Sequence, residues 1–434
     1  MKKLFAALLL PLLAFAEDAP TLDTGDTAWM MVSTAFVMLM TPAGLALFYG
    51  GMTRAKSILN TYLMVLAAFV VAFVVWIAVG YSIAFGTAES ASMQTVIGGF
   101  GNVFLNGIAW TDLSGSYPTY VFIVFQGTFA AITVAIASGS VIERIKFSTW
   151  IVFVAIWGVL VYAPITHMVW GGDGALLFDA GALDFAGGTV VHMNGGLAGL
   201  VLAILVGKRT GYPKTAMKPA SVILTALGAA MLWFGWYGFN GGSAFGANAI
   251  AGLAFLTTTI AASVATIAWI VLEWIVYKKP TLLGAATGAI AGLVAITPAA
   301  GFVDVSGAFI IGTLGTVFAF VGVTMIKKKL GYDDSLDAFG VHFLAGLWGA
   351  LATGIFALKD NDLLWDGPLK ESGDRMGQFF VQLESVVVVG LFTLIGTVIV
   401  YYIAVAITGG RRVSEDKEVM GLDESVHGER GFNL

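Results

Sequence analysis

The chain has 434 residues, of which 58% are hydrophobic and only 11% charged, with a net charge of -5. Ordinary soluble domains are about a quarter charged, so this composition excludes a water-exposed globular surface and points to a polytopic membrane protein. The absence of cysteine excludes disulfides, thiolate metal sites and iron–sulfur ligation, and no Walker loop, zincin motif or Gly-x-Ser-x-Gly elbow marks an enzyme or an ATP-driven pump.

In chain order, Lys2 and Lys3 precede a short apolar run that ends in Ala14-Phe15-Ala16 and is followed by Glu17-Asp18. This pattern reads as a signal peptide over 1–16, because the run is too short to span a bilayer. Eleven transmembrane helices follow, at 27–51, 58–85, 119–142, 147–168, 190–207, 221–240, 248–277, 282–299, 304–326, 338–357 and 378–408. Stretches such as 62–85 and 386–407 are apolar on every face. That is the signature of helices, whereas barrel strands would alternate over about ten residues. The expected fold is therefore all-α, with a membrane domain over 17–408 and a polar tail over 409–434.

Basic residues fall in alternate connections: Arg54 and Lys56, Arg144 and Lys146, Lys208 to Lys218, Lys278 and Lys279, Lys327 to Lys329, and Arg411 with Arg412; the exception is 358–377, where Lys359, Lys370 and Arg375 are diluted by acids. By the positive-inside rule the mature N-terminus is outside and the C-terminus cytoplasmic, which requires an odd number of spans. Two echoes divide the chain. "FYGG" (48–51) ends the first span and "FNGG" (239–242) the sixth; His192 and His342 both begin His-x-x-x-Gly-Leu-x-Gly, on the fifth and tenth spans. Five spans per repeat force opposite topologies, so the chain reads as two inverted five-helix repeats plus a C-terminal helix. In such folds the site lies near the midplane between the halves. The spacing Gly284-x-x-x-Gly288-x-x-x-Gly292 reads as a close helix-packing face.

Ionisable residues inside spans are costly and are functional candidates by default. His192 and His342 lead that group: each is either a glue between helices or part of a shared site, and the matching frames favour the site. Neutral imidazoles accept and pass protons. Near the outer span ends lie Phe125 and Phe129 in "FQGTF", Trp170 in "MVWGG", and Phe239 with Ser243 in "FNGGS". Aromatic faces attract cations and a serine oxygen accepts hydrogen bonds, a set that suits a small cation shedding water; taken singly, Trp170 reads equally as an interfacial belt residue and the phenylalanines as ordinary packing. Asp184 in "ALDFAGG" precedes the fifth span and is expected to cap it and to lend charge support nearby. Asp337 is expected to cap the tenth span in the corresponding way.

The segments "ALFYGG", "ERIKFS", "HMVWGG", "ALDFAGGTVVHMNGG", "GWYGFNGGSA", "FGVHFLAGLWG" and the tail "GLDESVHGERGFN" resemble the ammonium transporters of the Amt/Mep/Rh group, closely the bacterial Amt branch, over essentially the whole mature chain. The resemblance implies an outer ammonium recruitment site at Phe129, Trp170 and Ser243, supported by Asp184. It implies a stacked gate of Phe129 and Phe239, and a pore lined by the His192 and His342 pair. It further implies NH4+ deprotonation and NH3 passage, with or without the proton, a homotrimer in the bacterial cytoplasmic membrane, and a tail that meets a PII-type signalling protein. No cofactor, metal or nucleic acid is expected. The alternatives are an ammonium sensor with little flux and an Rh-type neutral gas channel; a haem protein would need a second histidine pair.

Overall fold

The computed structural model describes residues 21–361, 364 and 366–432, so the expected signal peptide at 1–16 lies outside the described residues. Among them are ten helices long and apolar enough to cross a membrane, namely α1 (Thr24–Met52), α2 (Ala55–Phe85), α3 (Thr119–Ser138), α4 (Phe147–Trp170), α5 (Gly188–Val206), α6 (Val222–Gly242), α7 (Ala249–Tyr277), α9 (Val305–Leu330), α10 (Phe339–Phe356) and α11 (Arg375–Thr408). Between α7 and α9 runs a shorter apolar helix, α8 (Leu282–Ile296). Its 15 residues reach about 22 Å, less than the roughly 30 Å hydrocarbon thickness. Residues 297–303, which continue it, are buried, and irregular backbone at depth is tolerated where protein surrounds it.

Several helix starts follow from capping residues in the sequence. Asp23, Ser221, Asn248, Thr281, Asp304 and Asp374 each accept a hydrogen bond from an N–H in the first turn of the helix they precede, satisfying donors that a helix leaves open. The two five-helix repeats meet along α1 and α6, which run antiparallel: Gly228 lies against the Phe48 backbone and Gly238 against Ser33. A side chain at Gly288 or Gly292 would overlap Trp269 or Ala265 on α7. The glycine series on α8 is thus a packing face, as the spacing predicts. The final helix, α11, lies across α4, α5 and α10.

Two faces result. The upper face carries the 86–118 and 171–187 connections; the lower, basic face carries the Lys and Arg clusters. On the basic face, Glu143 bonds Arg54 at 2.8 Å and Arg209 at 3.1 Å, and Arg209 in turn bonds Asp333 at 2.8 Å. Burial opposes ionisation of Asp333, but the Arg209 guanidinium outweighs it and holds the carboxyl below its ordinary range. Breaking such a buried pair from one side costs more than the pair contributes.

The tail is folded onto this face. Its short helices Glu415–Met420 and Asp423–His427 follow a strand-like contact between Ile145 and Arg412. Glu418 accepts from Arg412 at 2.5 Å and from the Thr210 N–H at 2.6 Å. Asp423 accepts from the N–H groups of Leu59 and Asn60 at 3.1 and 2.8 Å, so a tail carboxylate caps the start of α2. The sequence "GLDESVH" therefore specifies a docked element, which its polar composition alone does not reveal.

Candidate functional site

Asp184 sets the site's frame. It is 2% exposed, and its carboxylate accepts from the N–H groups of Gly187, Gly188, Thr189 and Val190 and from the Thr189 hydroxyl, at 2.5–3.1 Å. These donors are Gly187, which precedes α5, and the opening turn of α5 itself. The carboxylate is fully engaged as a cap; its backbone carbonyl, by contrast, receives the Trp170 Nε1–H at 2.8 Å. Asp184 thereby fixes both the helix that carries His192 and the indole ring of Trp170.

That ring lines a cavity of about 290 Å³ on the upper face, together with Gln126, Phe129, Asp184, Ser243 and Phe245. Ser243 donates its hydroxyl proton to the Phe239 carbonyl at 2.8 Å, which leaves its oxygen lone pairs available to a donor in the cavity. Phe129 lies edge-on to Trp170, with centroids 6.3 Å apart, and stacks on Phe239 at 4.1 Å and 12°. Phe125 packs behind Phe129 at 4.8 Å and does not line the cavity, so it supports the Phe129 ring from behind.

Beneath the stacked pair the path continues as a narrow cavity lined by Leu45, Ile132, Ile136, Leu232, Ile290, Trp236 and both histidines. Its volume is about 10 Å³, at the lower limit for a single water. A molecule the size of ammonia fits there alone; a cation with its hydration shell does not. The rings of His192 and His342 stack 5.4 Å apart at 21°, with Nδ1 to Nδ1 at 3.3 Å. In such a contact one nitrogen must donate and the other accept. Trp236 covers His192 at 5.3 Å, and His192 Nε2 has no partner among the described residues. His342 also lines a second cavity, of about 170 Å³, opening toward the basic face. The pair therefore bridges the narrow path and the lower cavity.

The matching sequence frames have a structural cause. Both histidines sit in π-helical turns that open their helices, Gly188–Met193 and Phe339–Leu344, a local widening common at functional sites. The glycine four residues after each histidine faces the other repeat. A Cβ on Gly346 would stand 3.2 Å from the His192 Cβ, and one on Gly196 would stand 2.6 Å from the Phe343 N. Each frame is thus a histidine plus the gap that lets its counterpart approach.

One expectation is corrected. Asp337 does not cap α10; it is paired with Lys327 at 2.6 Å. The N–H of Phe339 instead bonds Asp334 at 2.8 Å. Asp334 precedes His342 by eight residues, as Asp184 precedes His192, so Asp334 is the repeat counterpart and counting to the helix start chose the wrong acid. Sequence reasoning also passed over Gln126 and Phe245 in the upper cavity and the buried Gln382 behind it. A glutamine inside an apolar span was the available signal for the last.

The model of the Ammonium Transporter Family matches residues 28–432. The chain belongs to this family. Among its relatives, an ammonium transporter of Aquifex aeolicus is 47% identical over 429 residues, covering 97% of this chain and 96% of that one. One of Bacillus subtilis is 44% identical, covering 95% and 99%. Of solved structures, that of Saccharomyces cerevisiae Mep2 superposes with a TM-score of 0.83 at 33% identity, covering 91% of this chain and 89% of that one. A protein described as a sensor Amt protein gives the same TM-score at 29% identity, covering 93% and 98%. This member of the ammonium transporter family is a multi-pass membrane protein.

Proposed function

We propose that this ammonium transporter family member takes up ammonium through a single-file path in each chain, recruiting NH4+ at the upper cavity and passing NH3 through the narrow segment, with the proton given up at the phenylalanine gate to His192 Nε2, unpartnered among the described residues, whose ring lies 5.9 Å from that of Phe239. The proton follows through His192 and His342. The upper face is outside and the basic face cytoplasmic, by the positive-inside rule. The N–H groups of NH4+ meet the faces of Trp170 and Phe129 and the Ser243 oxygen, with cation–π attraction of about 0.5–2 kcal/mol. A bare ammonium in the apolar segment would cost far more than a neutral amine, which selects NH3 as the species that passes the gate.

The observation that carries this reading is the histidine contact at 3.3 Å, because it links the sealed segment to the cytoplasmic cavity by groups able to hand on a proton. The membrane domain over 17–408, the tail over 409–434 as a regulatory element, and a bacterial inner-membrane location belong to the same proposal. A homotrimer is consistent with it, since gate, cavity and histidine pair all come from one chain. The exposed Lys214 and Lys218 lie in the connection whose Thr210 N–H bonds the tail's Glu418, and this connection is where a PII-type protein would reach the pore mouth.

Trp170→Leu tests the recruitment step. In liposomes its half-saturating ammonium concentration is expected to rise about fivefold, equivalent to roughly 1 kcal/mol of lost cation–π attraction, with the maximal rate largely kept. An unchanged half-saturation would remove Trp170 from the site. A wild type without uptake would favour ammonium sensing, given the similarity to a sensor Amt protein.

A further inference from the structure

The segment from Gly181 to Thr189 is the strap that connects Trp170 to α5, and it is gripped from an unexpected direction. Gln382, 1% exposed on α11, accepts from the Leu183 N–H at 2.7 Å and donates to the Leu183 carbonyl at 2.7 Å. Its amide also donates to the Ala350 carbonyl on α10 at 2.8 Å. One helical turn earlier, Gln378 donates to the Gly181 carbonyl at 2.8 Å. The next residue after Leu183 is Asp184, whose carbonyl holds the Trp170 indole.

Buried glutamines in an apolar helix are expensive unless every polar atom is matched. A two-point hold on the N–H and C=O of one residue fixes its position and the rotation of the two peptide units that flank its Cα, as a paired strand would. The carbonyl of Asp184 is one peptide unit further along, so rotation of Leu183 would swing the acceptor of Trp170. Gln378 holds the strap directly only at its start, two residues further off, and reaches Leu183 only through a longer 3.4 Å contact from its amide to the Gln382 Oε1.

We infer that Gln382 is a positioning residue for ammonium recruitment: through the Leu183 backbone it aims the Asp184 carbonyl and so fixes the Trp170 ring over the cavity. Helix α11, which lines neither the upper cavity nor the narrow one, thereby sets the apparent affinity of the outer site. This inference rests on the reading of Trp170 as the recruitment ring.

The test is a double-mutant cycle on initial ammonium uptake in liposomes, with wild type, Gln382→Met, Trp170→Leu and the double variant, and Gln378→Met alongside. Methionine keeps the volume and removes both hydrogen-bonding functions. Gln382→Met is expected to raise half-saturating ammonium about three- to tenfold, with the maximal rate changed less than twofold. In the Trp170→Leu background it is expected to add no further rise, since both changes act through one ring, and Gln378→Met alone should stay within twofold. Additive effects of Gln382→Met and Trp170→Leu would overturn the inference, as would a fall in maximal rate at constant half-saturation, which marks a merely structural role. If Gln382→Met does not fold, judged by its elution in detergent, Gln382→Glu takes its place in the cycle; it keeps the acceptor to Leu183 and loses the donor, and the same nonadditivity is required. If Trp170→Leu itself leaves half-saturation unchanged while Gln382→Met raises it, the recruitment reading fails and the inference with it.

Discussion

Asp184→Ala is expected to lower stability by about 3–5 kcal/mol and to abolish uptake. The substitution leaves four backbone N–H groups and the Thr189 hydroxyl without their acceptor, and each buried donor so orphaned costs on the order of 1–3 kcal/mol. Water entering from the adjoining cavity offsets part of this, which keeps the total below the simple sum. The opening turn of α5 would re-form around other partners, displacing His192 at its end. Thermal unfolding in detergent should show an apparent Tm lower by roughly 5 °C or more. Asp184→Asn should fall between, since one amide oxygen still accepts but the amide nitrogen opposes N–H donors. An Asp184→Ala protein that is as stable and active as wild type would mean that the cap is dispensable and that α5 is held by packing alone.

The second large effect is expected at the histidines. His192→Ala/His342→Ala should reduce the ammonium-evoked current at least tenfold on a solid-supported membrane. The alanines leave Phe48, Trp236 and aliphatic side chains around the narrow segment, with no group that accepts a proton, and a proton does not cross a dry apolar gap unaided. Passage of neutral NH3 is not blocked on steric grounds, so residual uptake without charge is the expected remainder. Each single variant should also lose most of the current, because the contact at 3.3 Å needs both rings. Undiminished current in the double variant would place the proton path elsewhere.

Much of this architecture was legible from residue patterns, for identifiable reasons. Apolar runs of bilayer length locate the spans to within a few residues, because no other environment accepts them. The repeat was visible because the same physical demand, a buried histidine followed by a gap for the opposite helix, is met twice by His-x-x-x-Gly-Leu-x-Gly. Asp184 was legible as a cap from its place before an apolar run. The same rule misplaced its counterpart at Asp337, since the connection before α10 holds three acids, Asp333, Asp334 and Asp337, and only contacts distinguish ion pair from cap. Ring roles were not legible from pattern: Phe125 and Phe129 are both buried and one turn apart, yet only Phe129 faces the cavity. The docked tail and the Gln382 grip were hidden because both depend on partners about 200 residues or more away in sequence.

The most direct test of the central claim counts charge against ammonium in the same wild-type liposomes, with current after an ammonium pulse set against uptake measured in parallel. The account predicts one positive charge moved for each ammonium taken up, since NH3 passes the gate and its proton follows through His192 and His342. Uptake with no accompanying charge would contradict it and leave the path a conduit for the neutral gas.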